Sequence, residues 1–285
     1  MSWAIESLLS VAFFVLAQIL GKQSWRAGVP CSVINLATYI VVVFVFLAAG
    51  VVTGFEINAP LALLTVLASI CIYAGNAASV RGFNYAPNPG YSTAIVKSYM
   101  VITVAASIFL FGGELNWKKI LGVALILASQ LLIVANEKKG KAAAGYHSHW
   151  ARYSFTAFFA YAALSLTVKY VMIMGVNQLV FLFWAILGSL FFFAAETGIR
   201  KISILNFKKQ TGPLLLLGVA SGIGNILMWN AFAHAPNMGY VNAISTINVA
   251  IISLLAVKLF GDELTKQKSL GIAGVTAGLL LVVLN

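Results

Sequence analysis

Apolar runs of about 20 residues recur along the chain, separated by short polar breaks, and a run of that length crosses a hydrocarbon core as an α-helix. Strict alternation of apolar and polar residues, the mark of a membrane β-barrel, is absent. The runs predict about ten spans, at residues 2–21, 31–53, 60–85, from the 87–89 turn to 111, and 117–135, then at 150–174, 178–197, 212–234, 237–260 and 266–284. Proline and asparagine at Pro87, Asn88 and Pro89 break the pattern between the third and fourth spans. A polar stretch over 137–149 holds three lysines and two histidines and reads as a linker between two halves, 1–136 and 150–285.

The halves repeat each other. Residues 75–134 recur at 224–283 without a gap, and roughly two-fifths of the aligned positions are identical. Gly75-Asn76 returns as Gly224-Asn225, Ala86-Pro87-Asn88 as Ala235-Pro236-Asn237, and Phe111-Gly112 with Glu114-Leu115 as Phe260-Gly261 with Glu263-Leu264. The first two spans correspond more faintly, Lys22, Gly28 and Val29 matching Lys169, Gly175 and Val176. Five spans per half is an odd number, which sets the halves in opposite orientation. Inverted repeats are a transporter signature, with the substrate site where the halves meet near the midplane.

Composition agrees with this class. Of 285 residues, 61% are hydrophobic and 9% charged, and the mean hydropathy is +0.96. Soluble domains carry about 25% charged residues. A net charge of +11 would suggest nucleic-acid binding in a soluble chain, but here the basic residues fall between apolar runs and act as topology and headgroup determinants. They concentrate in the odd loops: Lys22 and Arg26, Lys138, Lys139 and Lys141, Arg200, Lys201, Lys208 and Lys209, Lys266 and Lys268. That bias puts the odd loops in the cytoplasm and both termini outside. Cys31 and Cys71 lack CxxC spacing and are read as reduced structural residues. The first apolar run has no basic leader or small-residue cleavage site and is read as a retained span.

The five-plus-five arrangement, the Gly-x-Glu-Leu element after the fourth span of each half and the Ala-Pro turn before that span resemble the EamA branch of the drug/metabolite transporter superfamily. The resemblance covers essentially the whole chain. It implies a secondary carrier that moves a small metabolite by alternating access, in a family whose branches carry amino acids, sugar phosphates and nucleotide sugars. Typical relatives are expected to have both termini inside, against the charge bias here. Many members carry a proline in the fourth and ninth spans; Val101 and Ala250 stand near those places, so no proline-kinked gate is expected.

Few residues could carry chemistry. Lys97 lies within the fourth span, with Thr246 at the matching position of the other half. A lysine at this depth either faces a cavity and recognises a substrate carboxylate or phosphate, or snorkels to the membrane edge. The resemblance implies basic residues in both the fourth and ninth spans of phosphate carriers. The ninth span here has only Lys258, near its end, which disfavours a doubly anionic substrate. Asn76 and Asn225 are repeat-related and serve either substrate or helix packing. Asn242, Ser245, Thr246 and Asn248 form a polar band in the ninth span, read as cavity lining. Tyr99, Trp184 and Lys169 complete the candidate substrate site, while Lys22 is read as a span-end contact.

No carboxylate lies clearly at mid-membrane. Glu6 is nearest and reads as interfacial, and Glu114 and Glu263 read as helix-terminal groups that cap or tie the halves. The chain is therefore expected to be a carrier for a small polar metabolite, an amino acid or other carboxylate. A lipophilic-cation exporter is the alternative, and a membrane enzyme or scaffold is further off. His147 and His149 lack a third ligand for a metal centre, and the chain is not read as an enzyme. The expected partners are the small-molecule substrate, the lipid bilayer, and a coupling ion or exchange solute, without cofactor, metal or nucleic acid. The expected location is the cell (inner) membrane, as a multi-pass protein.

Overall fold

The structure is a computed structural model that describes residues 2–50, 58–86, 89–134, 149–260 and 265–284. Outside it lie the linker lysines and His147, the Pro87-Asn88 turn, and the Asp262-Glu263 element; the Lys258 and Lys268 side chains are likewise outside the described parts.

Among the described residues all regular structure is helical. The helices are α1 (Trp3–Arg26), α2 (Cys31–Ala48), α3 (Ala59–Tyr85), α4 (Pro89–Lys97), α5 (Met100–Phe111), α6 (Trp117–Val134), α7 (Trp150–Ile173), α8 (Gln178–Ile199), α9 (Thr211–His234), α10 (Met238–Ser245), α11 (Ile247–Phe260) and α12 (Lys266–Val283). Eight helical runs are long and apolar enough to cross a membrane, with α4 and α5 taken as one run and α10 and α11 as another. The chain is thus an all-α, multi-pass membrane protein by helix length and composition. Its periphery is apolar, with Phe109 83%, Phe191 72% and Leu63 71% exposed, a surface suited to lipid rather than water.

Local chemistry sets the helix ends. Asn58 caps α3 by accepting from Leu61 N at 2.9 Å, and Asn177 caps α8 by accepting from Leu179 N at 2.9 Å. The turns after α1 and α7 each use a left-handed glycine, Gly28 at φ +88° and Gly175 at φ +79°. These are the two glycines matched by the faint first-span repeat. The basic loop after α8 forms a short 3₁₀ helix (Ile204–Gln210), and its Ile204 and Phe207 pack on Val33, Leu214 and Leu217.

Packing follows the repeat. α1 packs on α9 as α7 packs on α3, α2 on α9 as α8 on α3, and α1 on α10 as α7 on α4. α6 pairs with α12, and α2 with α8. The α6–α12 crossing is close: a Cβ on Gly122 would lie 2.7 Å from the Gly278 carbonyl oxygen, and one on Gly278 would lie 2.7 Å from that of Gly122.

The structure corrects two sequence expectations. First, α1 continues to Arg26 instead of ending near residue 21, so Lys22 sits inside a helix. Second, the fourth and ninth spans are not continuous. Each breaks at matching positions, between Lys97 and Met100 and at Thr246, without a proline. At the first break Ser98 Oγ donates to Ala94 O at 2.8 Å, and Tyr99 N reaches back only to Val96 O, at 3.3 Å. At the second, Thr246 Oγ1 donates to Ala243 O at 2.6 Å and Val249 N reaches back to Thr246 O at 2.9 Å. Hydroxyls bonding to preceding carbonyls and the shift to i→i−3 bonding bend a helix without proline.

Candidate functional site

The first break borders a cavity of about 210 Å³ between the halves, and Ser245 at the second stands behind its wall. That is room for several waters, suited to a small metabolite. Its walls come from α1, α2, α3, α4, α7, α8 and α9, with Tyr99 reaching in from the first break.

Lys97, the last residue of α4, is part of the lining. Its Nζ donates to Ser245 Oγ at 3.3 Å and lies 5.6 Å from the centre of the Phe14 ring. Tyr99 also lines the cavity and donates its hydroxyl to Asn242 Oδ1 at 2.7 Å, while Asn242 Nδ2 donates to Thr103 Oγ1 at 2.9 Å. Asn242 and Ser245 are therefore not in the lining: they stand behind it and hold the two residues that are. Tyr99 and its hydroxyl partner belong to opposite halves, so this bond crosses between them at the broken segments.

Asn76 and Asn225 face the cavity from equivalent turns of α3 and α9. Asn76 Nδ2 donates to Ile72 O at 2.9 Å, and Asn225 Nδ2 to Ser221 O at 2.7 Å, the same local bond in both halves. Tyr161 of α7 lines the cavity and donates its hydroxyl to Asn76 Oδ1 at 3.0 Å. Tyr161 escaped the sequence reading because its repeat partner is the apolar Phe14 and a tyrosine within a span is common.

Lys22 lines the cavity as well, although the sequence reading placed it at a span end. Its Nζ donates to Asn84 O at 2.9 Å and lies 4.5 Å from the Trp25 ring centre. The five further residues of α1 turn this lysine inward. Its repeat partner Lys169 is partly exposed on α7 and lies outside the lining.

The remaining candidates are placed elsewhere. Thr246 is fully buried and bonded to its own helix. Asn248 is buried, with neither amide atom hydrogen-bonded among the described residues. Trp184 is partly buried and packs edge-on against Phe183 at 5.4 Å. None of the three lines the cavity. The ninth-span band splits in depth because α10 ends at Ser245: residues at helical neighbour spacing face the α5 side, not the opening.

The two ends of the bundle are built differently. At one end α1, α3 and α7 meet through Trp25, Tyr85 and Tyr153, with ring centres 6.2 and 6.0 Å apart in series, and Arg81 of α3 pairs with Glu196 of α8. At the other end the Glu114 segment of the first half docks on the Pro236 turn of the second. Glu114 N donates to Pro236 O at 3.2 Å, and the Tyr240 hydroxyl donates to Glu114 O at 3.1 Å. The Glu114 carboxylate pairs with Lys119 at 3.1 Å, and Asn116 caps α6. The repeat-matched residues, Glu263 and Pro87, lie outside the described residues.

No family model and no curated protein matches the chain. Among solved structures 29 chains match, and one, described as "Crystal structure of protein", gives a TM-score of 0.75 over 98% of this chain and 96% of that one, at 16% identity. That likeness speaks for the fold alone. The architecture into which these cavity residues fold is thus one that this solved structure shares over essentially its full length.

Proposed function

We propose that the chain is a secondary carrier of a small, carboxylate-bearing polar metabolite, working by alternating access in the manner of the EamA branch of the drug/metabolite transporters. The observation that carries the reading is Lys97: a lysine deep in a membrane bundle, at the break of a helix, facing a cavity. Ammonium groups at this depth are costly and mark substrate or ion pathways. The fourth span, broken at the cavity and held there by Asn242 and Ser245 of the broken ninth, supports the same reading, since carriers place discontinuous helices at the substrate site. The exchange of packing partners between halves is what two inverted five-span repeats would produce. The lining has no carboxylate among the described residues, which disfavours a lipophilic-cation exporter.

Counterflow tests the reading. Purified protein in liposomes preloaded with a pooled panel of carboxylates, amino acids, sugar phosphates and cationic dyes should exchange a labelled carboxylate-bearing solute above empty liposomes. Exchange restricted to the dyes would replace this reading with the exporter. Silence across the panel, with folded protein in the liposomes, would overturn the carrier reading.

A further inference from the structure

Two ammonium groups, Lys22 and Lys97, face one cavity, and among the described residues no aspartate or glutamate lines it. Glu196 is engaged by Arg81 and Arg200 outside the lining. Glu6 lies eight residues before Phe14, the first lining residue of α1, or about 12 Å away along the helix. Among the described residues each lysine has a neutral hydrogen-bond acceptor, Asn84 O for Lys22 and Ser245 Oγ for Lys97. Each has three N–H groups to satisfy. Two like charges facing a small membrane-embedded space are held there at a cost that an anion between them relieves.

Lys97 Nζ lies by the Phe14 ring and Lys22 Nζ by the Trp25 ring, so the two ammonium groups stand at different levels along α1, with Gln18 and Gly21 in the lining between Phe14 and Lys22.

The amino acid expected from the sequence fits this cavity poorly. Its ammonium would meet two lysines and no carboxylate, with only amides and hydroxyls to accept its protons. Away from its end the ninth span lacks a second cation, but α1 supplies one in Lys22. Building on the carrier reading above, we propose that the cavity binds a small dianion with two separate acid groups, carboxylate or phosphate, Lys97 holding one and Lys22 the other.

Isothermal titration of the full chain in lipid nanodiscs tests this with ligands of matched length: glutarate and 4-phosphonobutyrate as dianions, butyrate as the monoanion, 4-aminobutyrate as the zwitterion. At least one dianion should bind the wild type about 10-fold or more tighter than butyrate and 4-aminobutyrate, the worth of one extra charge-assisted contact. Lys22→Gln and Lys97→Gln should each reduce that advantage to within about threefold, and Lys22→Arg should retain it. The proposal is overturned if neither dianion binds, if butyrate or 4-aminobutyrate binds as well as the better dianion, or if folded Lys22→Gln keeps the full advantage. The wild-type ranking decides the matter where a variant does not fold. Dianion binding without counterflow of any solute would retire the carrier and keep the site. Counterflow of a zwitterion with the reverse binding order would retire the dianion and keep the carrier.

Discussion

Lys97→Ala is expected to lower exchange of the transported anion by about 100-fold while leaving the protein folded, with a thermal midpoint equal to or above that of the wild type. The two effects have one cause. The ammonium lines the cavity, and its hydrogen-bond partner among the described residues is the neutral Ser245 hydroxyl at 3.3 Å. A charge-assisted bond to a substrate acid group contributes about 1.5–3 kcal/mol, or about 10- to 100-fold, and a carrier needs that bond for both binding and movement. The empty protein, in contrast, carries an ammonium at a depth where it is unfavourable, so alanine relieves the fold. Gain in stability with loss of activity is the mark of a functional residue. The measurements are counterflow and thermal unfolding in detergent on the same preparation. A variant that exchanges normally, or one that loses activity only because it unfolds, would contradict the assignment.

Gly239→Val is expected to have the largest effect on folding. Gly239 begins α10 one residue after Met238, where its N–H donates to Asn237 Oδ1 at 2.8 Å. A Cβ at this position would run into the backbone N and Cα of Val104 in α5, as well as its side chain. Backbone cannot rotate out of the way, so the helices would have to separate. That separation would pull on the neighbouring bonds between the Glu114 segment and Tyr240, which close this end of the bundle. Overpacking of this kind costs about 3 kcal/mol, the upper end for a packed interior. Valine should therefore lower the yield of folded protein and the thermal midpoint, with Gly239→Ala intermediate. A valine variant with unchanged yield and midpoint would show that α5 and α10 do not approach as closely as described.

What the sequence reveals differs by residue, for physical reasons. The duplication is plain because glycine, proline and asparagine punctuate both halves at one offset, and Lys97 is plain because a charge inside an apolar run is conspicuous. The helix breaks are hidden: no proline marks them, and Ser98 and Thr246 bend the chain through bonds to their own backbone that any serine or threonine in a span could make. Lys22 is hidden for another reason. Hydropathy falls at Gly21-Lys22, which suggests a helix end, yet α1 runs on to Arg26 and the lysine turns onto Asn84 and Trp25. The polar band of the ninth span is visible as a helix face, but sequence spacing gives only relative angle. Whether Asn242 touches the cavity or the residue that lines it depends on how α10 is rotated against α5, which long-range packing decides.

Alternating exposure of the cavity is the claim on which the carrier account turns, and a single cysteine tests it most directly. With the buried Cys31 and Cys71 replaced by serine, Ser79→Cys places one thiol in the lining of α3. A membrane-impermeant thiol reagent is applied to sealed vesicles of each orientation, with and without the solute that exchanges in counterflow. The account predicts labelling from both faces of the membrane, slowed on both by the solute. Labelling from one face only, unchanged by the solute, would contradict it.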